Sequence, residues 1–124
     1  MIKGNRVCGT ISMEWNELRS PDQLDVIREE SKTKPVLIFK HSSRCSVSQL
    51  TLDRLQRKWS AQADGIKPYF LDLIAFRELS KRVADQFSVE HESPQVLLIR
   101  NGSAVFDRSH FDIDFSAIVA AAGN

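Results

Sequence analysis

The chain contains little cysteine and has no long apolar segment. Only two cysteines, Cys8 and Cys45, occur among 124 residues, and they lie far apart in the sequence. No apolar stretch approaches the roughly 18 residues that a membrane-spanning helix needs, and the N-terminus lacks the features of a signal peptide. Because a chain without an export signal stays in a reducing compartment, we expect a cytoplasmic protein with no structural disulfide and no membrane partner.

An excess of either charge is also missing. The 17 basic and 16 acidic residues give a formal net charge of +1, whereas binding to a phosphate backbone needs a concentrated basic surface. The densest basic groups mix with acidic residues at helical spacing, which is typical of solvated helix faces. These groups are Arg54/Arg57/Lys58 and Arg77/Lys81/Arg82. No nucleic-acid partner is therefore expected.

The sequence offers no cluster of metal ligands. Its three histidines, His41, His91 and His110, do not combine with the cysteines at the spacing of a zinc site. We interpret His91 and His110 as surface residues and expect no metal centre.

The length and the apolar fraction of 42% are those of a single globular domain spanning residues 1–124, with its core at about residues 20–123. A weak strand around Val7 and Met13 is followed by a helix that Ser20 would cap. Apolar periodicity then alternates between strands and helices, and Asn101-Gly102 is a strong hairpin signal before a last helix capped by Asp114. The predicted order, (β)αβαβαββα, indicates an α/β fold with a mixed central sheet and helices on both faces.

The most informative stretch is residues 35–48, PVLIFKHSSRCSVS. An apolar, β-branched run predicts a buried strand, which breaks into small polar residues before a helical pattern begins. Cys45 therefore falls where a strand ends and a helix starts. Unpaired backbone N–H groups and aligned peptide dipoles at a helix N-terminus favour an anion, so a thiolate is stabilised there and Cys45 is a candidate nucleophile. Arg44 and Lys40 add positive charge.

This element order, with a cysteine after the first central strand and Ser93-Pro94 before the hairpin, resembles the thioredoxin fold. In that superfamily the first cysteine of the C-x-x-C motif would fall on Cys45 and the second on Ser48, so the resolving thiol is missing. The superfamily's cis-proline would fall on Pro94. The sequence departs from thioredoxin at Phe39, where a buried acid would assist proton transfer, and a general dithiol reductase is therefore not expected.

More narrowly, KPVLIFKHSSRCSVS, the later SPQVLLIRNG and Trp15 resemble the YtxJ-type family of bacillithiol-system proteins, the monothiol bacilliredoxins. The resemblance implies a thiol-disulfide oxidoreductase that acts on mixed disulfides between protein cysteines and a low-molecular-weight thiol. It implies client proteins and that small thiol, bacillithiol or a similar molecule, as partners, and no bound cofactor.

The resemblance also suggests roles around the cysteine. Cys45 would attack the mixed disulfide, and Ser48 would donate a hydrogen bond to its sulfur, as could the Ser46 hydroxyl. His41 would hold charge near the thiolate or contact substrate, and Arg44 would bind substrate.

On the other side of the site, Ser93 and Pro94 would position the substrate backbone by β-type pairing. A regenerating small thiol is required, because Ser48 cannot form a disulfide. Cys8 is expected to be passive, with a resolving role as the alternative.

Each assignment has an alternative. Cys45 could be an inert small apolar residue, His41 could pack at the strand end, Ser48 could serve only its helix turn, and Pro94 could simply open a strand. The whole chain could be a non-catalytic thioredoxin-fold binding module. A glutaredoxin-like protein using glutathione is a further alternative, disfavoured because no glycine follows Cys45.

Overall fold

The structure is a computed structural model that describes residues 13–123. The strand predicted around Val7 lies outside these residues, as does Cys8. Within them the chain forms, in order, β1 (Asn16–Glu17), α1 (Asp22–Glu30), β2 (Val36–His41), α2 (Ser46–Lys58), β3 (Lys67–Asp72), α3 (Arg77–Phe87), β4 (Gln95–Arg100), β5 (Ser103–Ser109) and α4 (Phe115–Ala121). Short 3-10 helices occupy Ala61–Ala63 and His110–Asp112.

The strands form one mixed sheet in the order β1-β3-β2-β4-β5. Strands β1, β3 and β2 run parallel, and β4 and β5 add an antiparallel hairpin to the edge of β2. All six residues of β2 are buried, because this strand has a neighbour on each side and helices above and below. The α/β fold class with a mixed central sheet is confirmed.

Alternate residues of the strands pack into two separate hydrophobic cores, one on each face of the sheet. One face packs Val36, Ile38 and their neighbours under α1 and α3, and the other packs Leu37 and Phe39 under α2 and α4. This period-2 division is what a strand buried on both faces produces. Helices therefore cover both faces, as predicted, and none of those in residues 13–123 has the length and apolar character to cross a membrane.

Two helix details differ from the sequence prediction. The N-cap position of α1 is Pro21, and instead of a Ser20 cap the side chain of Gln23 accepts hydrogen bonds from the N–H groups of Arg19 and Ser20 at 2.6 and 3.0 Å. The helical spacing of the apolar residues Leu50 and Leu55 predicts that both lie on the inward stripe of α2, but Leu50 is 46% exposed, and the buried face carries Ser48, Thr51 and Leu55. The inward stripe of α2 is partly polar, so its apolar pattern alone misplaces it.

The Asn101-Gly102 turn is the hairpin that the sequence predicts. Both residues have positive φ, 52° and 79°, as a two-residue hairpin turn of this kind requires. The turn is fastened to the end of α1, since the Asn101 and Gly102 N–H groups donate to the carbonyl and hydroxyl oxygens of Ser31 at 2.8 and 2.9 Å.

Gly102→Ala should lower the free energy of unfolding by about 1 kcal/mol, because an L side chain disfavours positive φ. A methyl group there would meet nothing closer than Arg28 Cγ at 4.0 Å, so backbone strain alone sets the effect. Urea unfolding measures it, with Ser103→Ala on the next, exposed residue as the control. Equal stability of the two variants would contradict the turn assignment.

Candidate functional site

Cys45 lies at the junction between the central strand and the second helix. It occupies the N-cap position of α2 with an extended backbone, φ −111° and ψ 119°. Its N–H donates to the Ser42 carbonyl and its carbonyl accepts from Gln49 N–H, both at 3.1 Å. The thiol is free and its residue partly exposed. Cys45 is thus held firmly by its backbone while its sulfur belongs to no disulfide among the described residues.

Arg44 and Ser46 flank Cys45 and are both exposed. Their side chains are therefore open to a molecule that approaches the sulfur. They lie in the loop and at the first residue of α2, where the sequence placed them.

Ser48, three residues beyond Cys45, points inward. It is fully buried, and its hydroxyl oxygen accepts a hydrogen bond from Ser42 N–H at 3.1 Å and lies 2.7 Å from His41 Nδ1. The hydrogen bond expected from Ser48 to the Cys45 sulfur does not occur among residues 13–123. The serine instead joins the start of α2 to the end of β2.

His41 is buried rather than a charged neighbour of the sulfur. It is 5% exposed, and burial lowers its pKa, an effect that the carboxylate of Asp72 partly opposes. The ring is therefore neutral at pH 7, contrary to the expectation that it would hold charge beside the thiolate. A neutral ring with unprotonated Nδ1 accepts the Ser48 O–H, which leaves the Ser48 oxygen free to accept from Ser42.

An aromatic layer lies under this junction. Phe39 is fully buried, stacks on Phe70 at 6.5 Å and meets the edge of Trp15 at 5.9 Å. Trp15 Nε1 in turn donates to Gln56 Oε1 on α2 at 2.9 Å. The position where thioredoxins carry a buried acid is thus apolar, and Phe39 cannot relay protons to the sulfur.

Sheet register brings a second, distant segment to the same edge. Lys40 pairs with Gln95, so the next residues of the two antiparallel strands place Pro94 across from His41 and Ser93 across from Ser42. The Ser93–Pro94 bond is cis, as predicted. The Pro94 carbonyl accepts from His110 N–H at 3.0 Å, and Ser93 Oγ is buried without a hydrogen-bond partner in the described structure.

The sequence predicted for Lys40 only that it adds positive charge near Cys45. Its side chain is fully buried, with Nζ 3.3 Å from Nδ1 of His91. Burial lowers the Lys40 pKa to about 8. His91 is exposed, as predicted, but it also lies 3.3 Å from Ser80 Oγ. The signal for this burial was the unbroken apolar run that Lys40 continues.

No group of three or more His, Cys, Asp or Glu side chains in residues 13–123 is arranged to hold a metal ion.

A cysteine at the N-cap position of the helix that follows a central strand, together with a cis-proline just before the adjacent strand β4, defines a thiol protein of the thioredoxin fold. The chain belongs to the family described as monothiol bacilliredoxin BrxC, whose model matches residues 16–118. Family and fold together support a thiol redox role.

Solved structures agree with this assignment. A thioredoxin-fold protein described as a candidate oxidoreductase is 35% identical, with a TM-score of 0.73 over 85% of this chain and 90% of that one. Thioredoxin from Malassezia sympodialis is 15% identical, with a TM-score of 0.67 over 97% of this chain and 96% of that one. Thioredoxin f from spinach chloroplast is also 15% identical, with a TM-score of 0.63 over 94% and 97%. The two thioredoxins share the fold alone.

Lys40→Met should raise the free energy of unfolding at pH 7. The folded-state pKa of Lys40, about 8, is below its ordinary value of 10.5, so between these values the folded chain binds fewer protons than the unfolded chain and stability rises with pH. Below pH 8 the buried charge of Lys40 lowers the free energy of unfolding by its full amount, about 3 kcal/mol.

Urea unfolding at pH 7 and pH 10 tests this expectation. The stability advantage of Lys40→Met over the wild type should shrink at the higher pH, whereas a matched change at exposed Lys34 should give no such trend. An advantage independent of pH would refute the charged burial of Lys40.

Proposed function

We propose that this protein is a monothiol thiol-disulfide oxidoreductase that removes a low-molecular-weight thiol of the bacillithiol type from protein mixed disulfides. The observation that carries the proposal is the contrast between two positions on the first turn of α2. Cys45 is partly exposed at the cap, whereas position 48, where a resolving cysteine would fall, holds a buried serine bonded to β2. Within residues 13–123 the only thiol is that of Cys45, so the described part of the site offers one nucleophilic sulfur.

The first step is an exchange of disulfide partners. The Cys45 thiolate attacks the sulfur of the small thiol in the mixed disulfide, the bond between that sulfur and the client sulfur breaks, and the client leaves as a thiolate that takes a proton from water. The products are a reduced client and a disulfide between Cys45 and the small thiol. No electrons are gained or lost overall, because one disulfide replaces another.

The second step regenerates the enzyme. A second molecule of the small thiol, as its thiolate, attacks the sulfur attached to Cys45, which forms a symmetrical small-thiol disulfide and releases the Cys45 thiolate. Ser48 cannot replace this molecule. The small thiol is thus a co-substrate rather than a bound cofactor, and a reducing cytoplasm supplies it.

The surrounding groups have separate roles in this proposal. The free N–H groups of the first turn of α2 stabilise the thiolate, and exposed Arg44 and Ser46 contact the approaching substrate. The His41–Ser48 pair fixes the start of α2 against β2 and so positions Cys45.

The cis-proline segment limits how a client backbone can pair with the site. Pro94 has no N–H, and its carbonyl accepts a hydrogen bond from His110 N–H. A client strand that pairs with this edge therefore uses the main chain of Ser93.

Cys45→Ser should reduce the release of client thiol from a mixed disulfide to the uncatalysed rate, because serine cannot form the intermediate disulfide. Cys8→Ser is the matched control and should retain wild-type turnover. The assay follows free client thiol over time in the presence of excess small thiol. Wild-type activity in the Cys45 variant would refute the mechanism, and loss of activity in the Cys8 variant would assign Cys8 a resolving role.

Ser48→Cys should create a dithiol site. Residues three apart on one helix lie within disulfide reach, whereas residues six apart are separated by about 9 Å along the axis. In a Cys8→Ser background, mild oxidation should therefore remove two free thiols per chain from Ser48→Cys but not from Thr51→Cys. Retention of both thiols at positions 45 and 48 would disprove the helix-start geometry.

A further inference from the structure

A cavity of about 390 Å³ opens next to the redox loop. Ser42, from the loop before Cys45, and Ser93, from the cis-proline segment, form one side of it. Arg77, Ser80 and Lys81 of α3 and the ring of His91 form another. Its volume is in the range of pockets that bind small molecules, and it shares residues with both segments of the redox site.

The charged groups that line the cavity are cationic. Arg77 and Lys81 are four residues apart on α3 and therefore project from the same face. The carboxylates of Glu78, Glu92 and Asp72 do not line the cavity, although Glu78 is paired with one of the lining cations. Glu78 lies 3.8 Å from Lys81, Glu92 lies 3.5 Å from His110, and Asp72 accepts from Ile74 and Ala75 N–H at 3.0 and 3.3 Å.

Two buried groups behind this lining also favour an anion in the cavity. Lys40 Nζ donates to His91, one of the lining residues, and its side chain is fully buried, a position that is costly for a charged group. Ser93 Oγ is buried without a partner, and such a group is destabilising unless it is satisfied. A cation and a hydroxyl donor kept at this cost are typical of a site that binds an anion.

We propose that this cavity binds a carboxylate of the low-molecular-weight thiol while that thiol is disulfide-linked to the client or to Cys45. The inference rests on the proposed function and names the chemistry that the site recognises: a small thiol with an acidic group several bonds from its sulfur. In this proposal the acidic group that the cavity binds belongs to the small thiol and not to the client protein.

A pair of mixed disulfides tests the proposal in turnover. One cysteine-containing peptide is linked to N-acetyl-cysteinylglycine, which ends in a carboxylate, or to the neutral C-terminal amide of the same dipeptide. The wild type should release peptide thiol about tenfold faster from the carboxylate form. In Arg77→Gln/Lys81→Gln the ratio of the two release rates should fall to about one, because the cations that favour the carboxylate are gone.

Arg54→Gln/Lys58→Gln is the matched control, because it removes the same charge at the same spacing from exposed positions of α2. It should keep the wild-type preference. A preference that persists in Arg77→Gln/Lys81→Gln overturns the proposal. So does a preference that follows a carboxylate placed on the peptide rather than on the dipeptide, since that result assigns the cavity to acidic clients.

A binding measurement separates this inference from the proposed function. The S-methyl derivatives of both dipeptides are titrated into the Cys45→Ser variant, which cannot react. The carboxylate derivative should shift the backbone amide resonances of Ser80 and His91, and the amide derivative should not. Such shifts without any turnover in the wild type would support the cavity and refute the redox mechanism, and their absence would overturn the cavity whatever the turnover.

Discussion

The position of β2 in the middle of the sheet is the constraint on which the site depends. This strand pairs in parallel with β3 and antiparallel with β4, so its direction and register are fixed from both sides. The C-terminal end of β2 therefore meets the end of β3 and the beginning of β4 at one edge of the sheet. Ligand sites of α/β sheets form at the carboxyl ends of parallel strands, and here the cysteine, the cis-proline and the cationic cavity share that edge.

The hydrogen bonds of Ser48 show that this position serves the scaffold. A serine at this position accepts from the Ser42 N–H and bonds to His41, so one hydroxyl serves two partners at the start of α2. Because the hydroxyl is used inside the fold, it contributes structure rather than reactivity. In the proposed mechanism, the serine at position 48 is the reason that an external thiol has to complete the exchange.

Much of the fold could be predicted from the sequence because its signals are local. The alternation of strands and helices, the Asn101-Gly102 turn and the Asp114 cap, which accepts from Ala117 N–H at 3.0 Å, all depend on neighbouring residues. The environment of the site could not be predicted in this way. Whether Ser48 faces the sulfur or β2, and whether His41 is charged, depends on burial and on contacts between elements. Because the inward face of α2 is partly polar, a hydrophobicity pattern does not identify it.

The burial of Lys40 also could not be predicted from neighbouring residues. A lysine in the most buried strand contradicts the rule that charged side chains remain exposed unless they are paired, and its partner His91 is 51 residues away in the chain. The Lys40 charge also helps burial to lower the pKa of His91, which Glu92 partly opposes. A neutral His91 can accept from the Lys40 amine, so the cation remains hydrogen-bonded behind the cavity wall. The fold tolerates the buried charge because one hydrogen bond partly compensates it, and the remaining cost is the kind that proteins retain at functional sites.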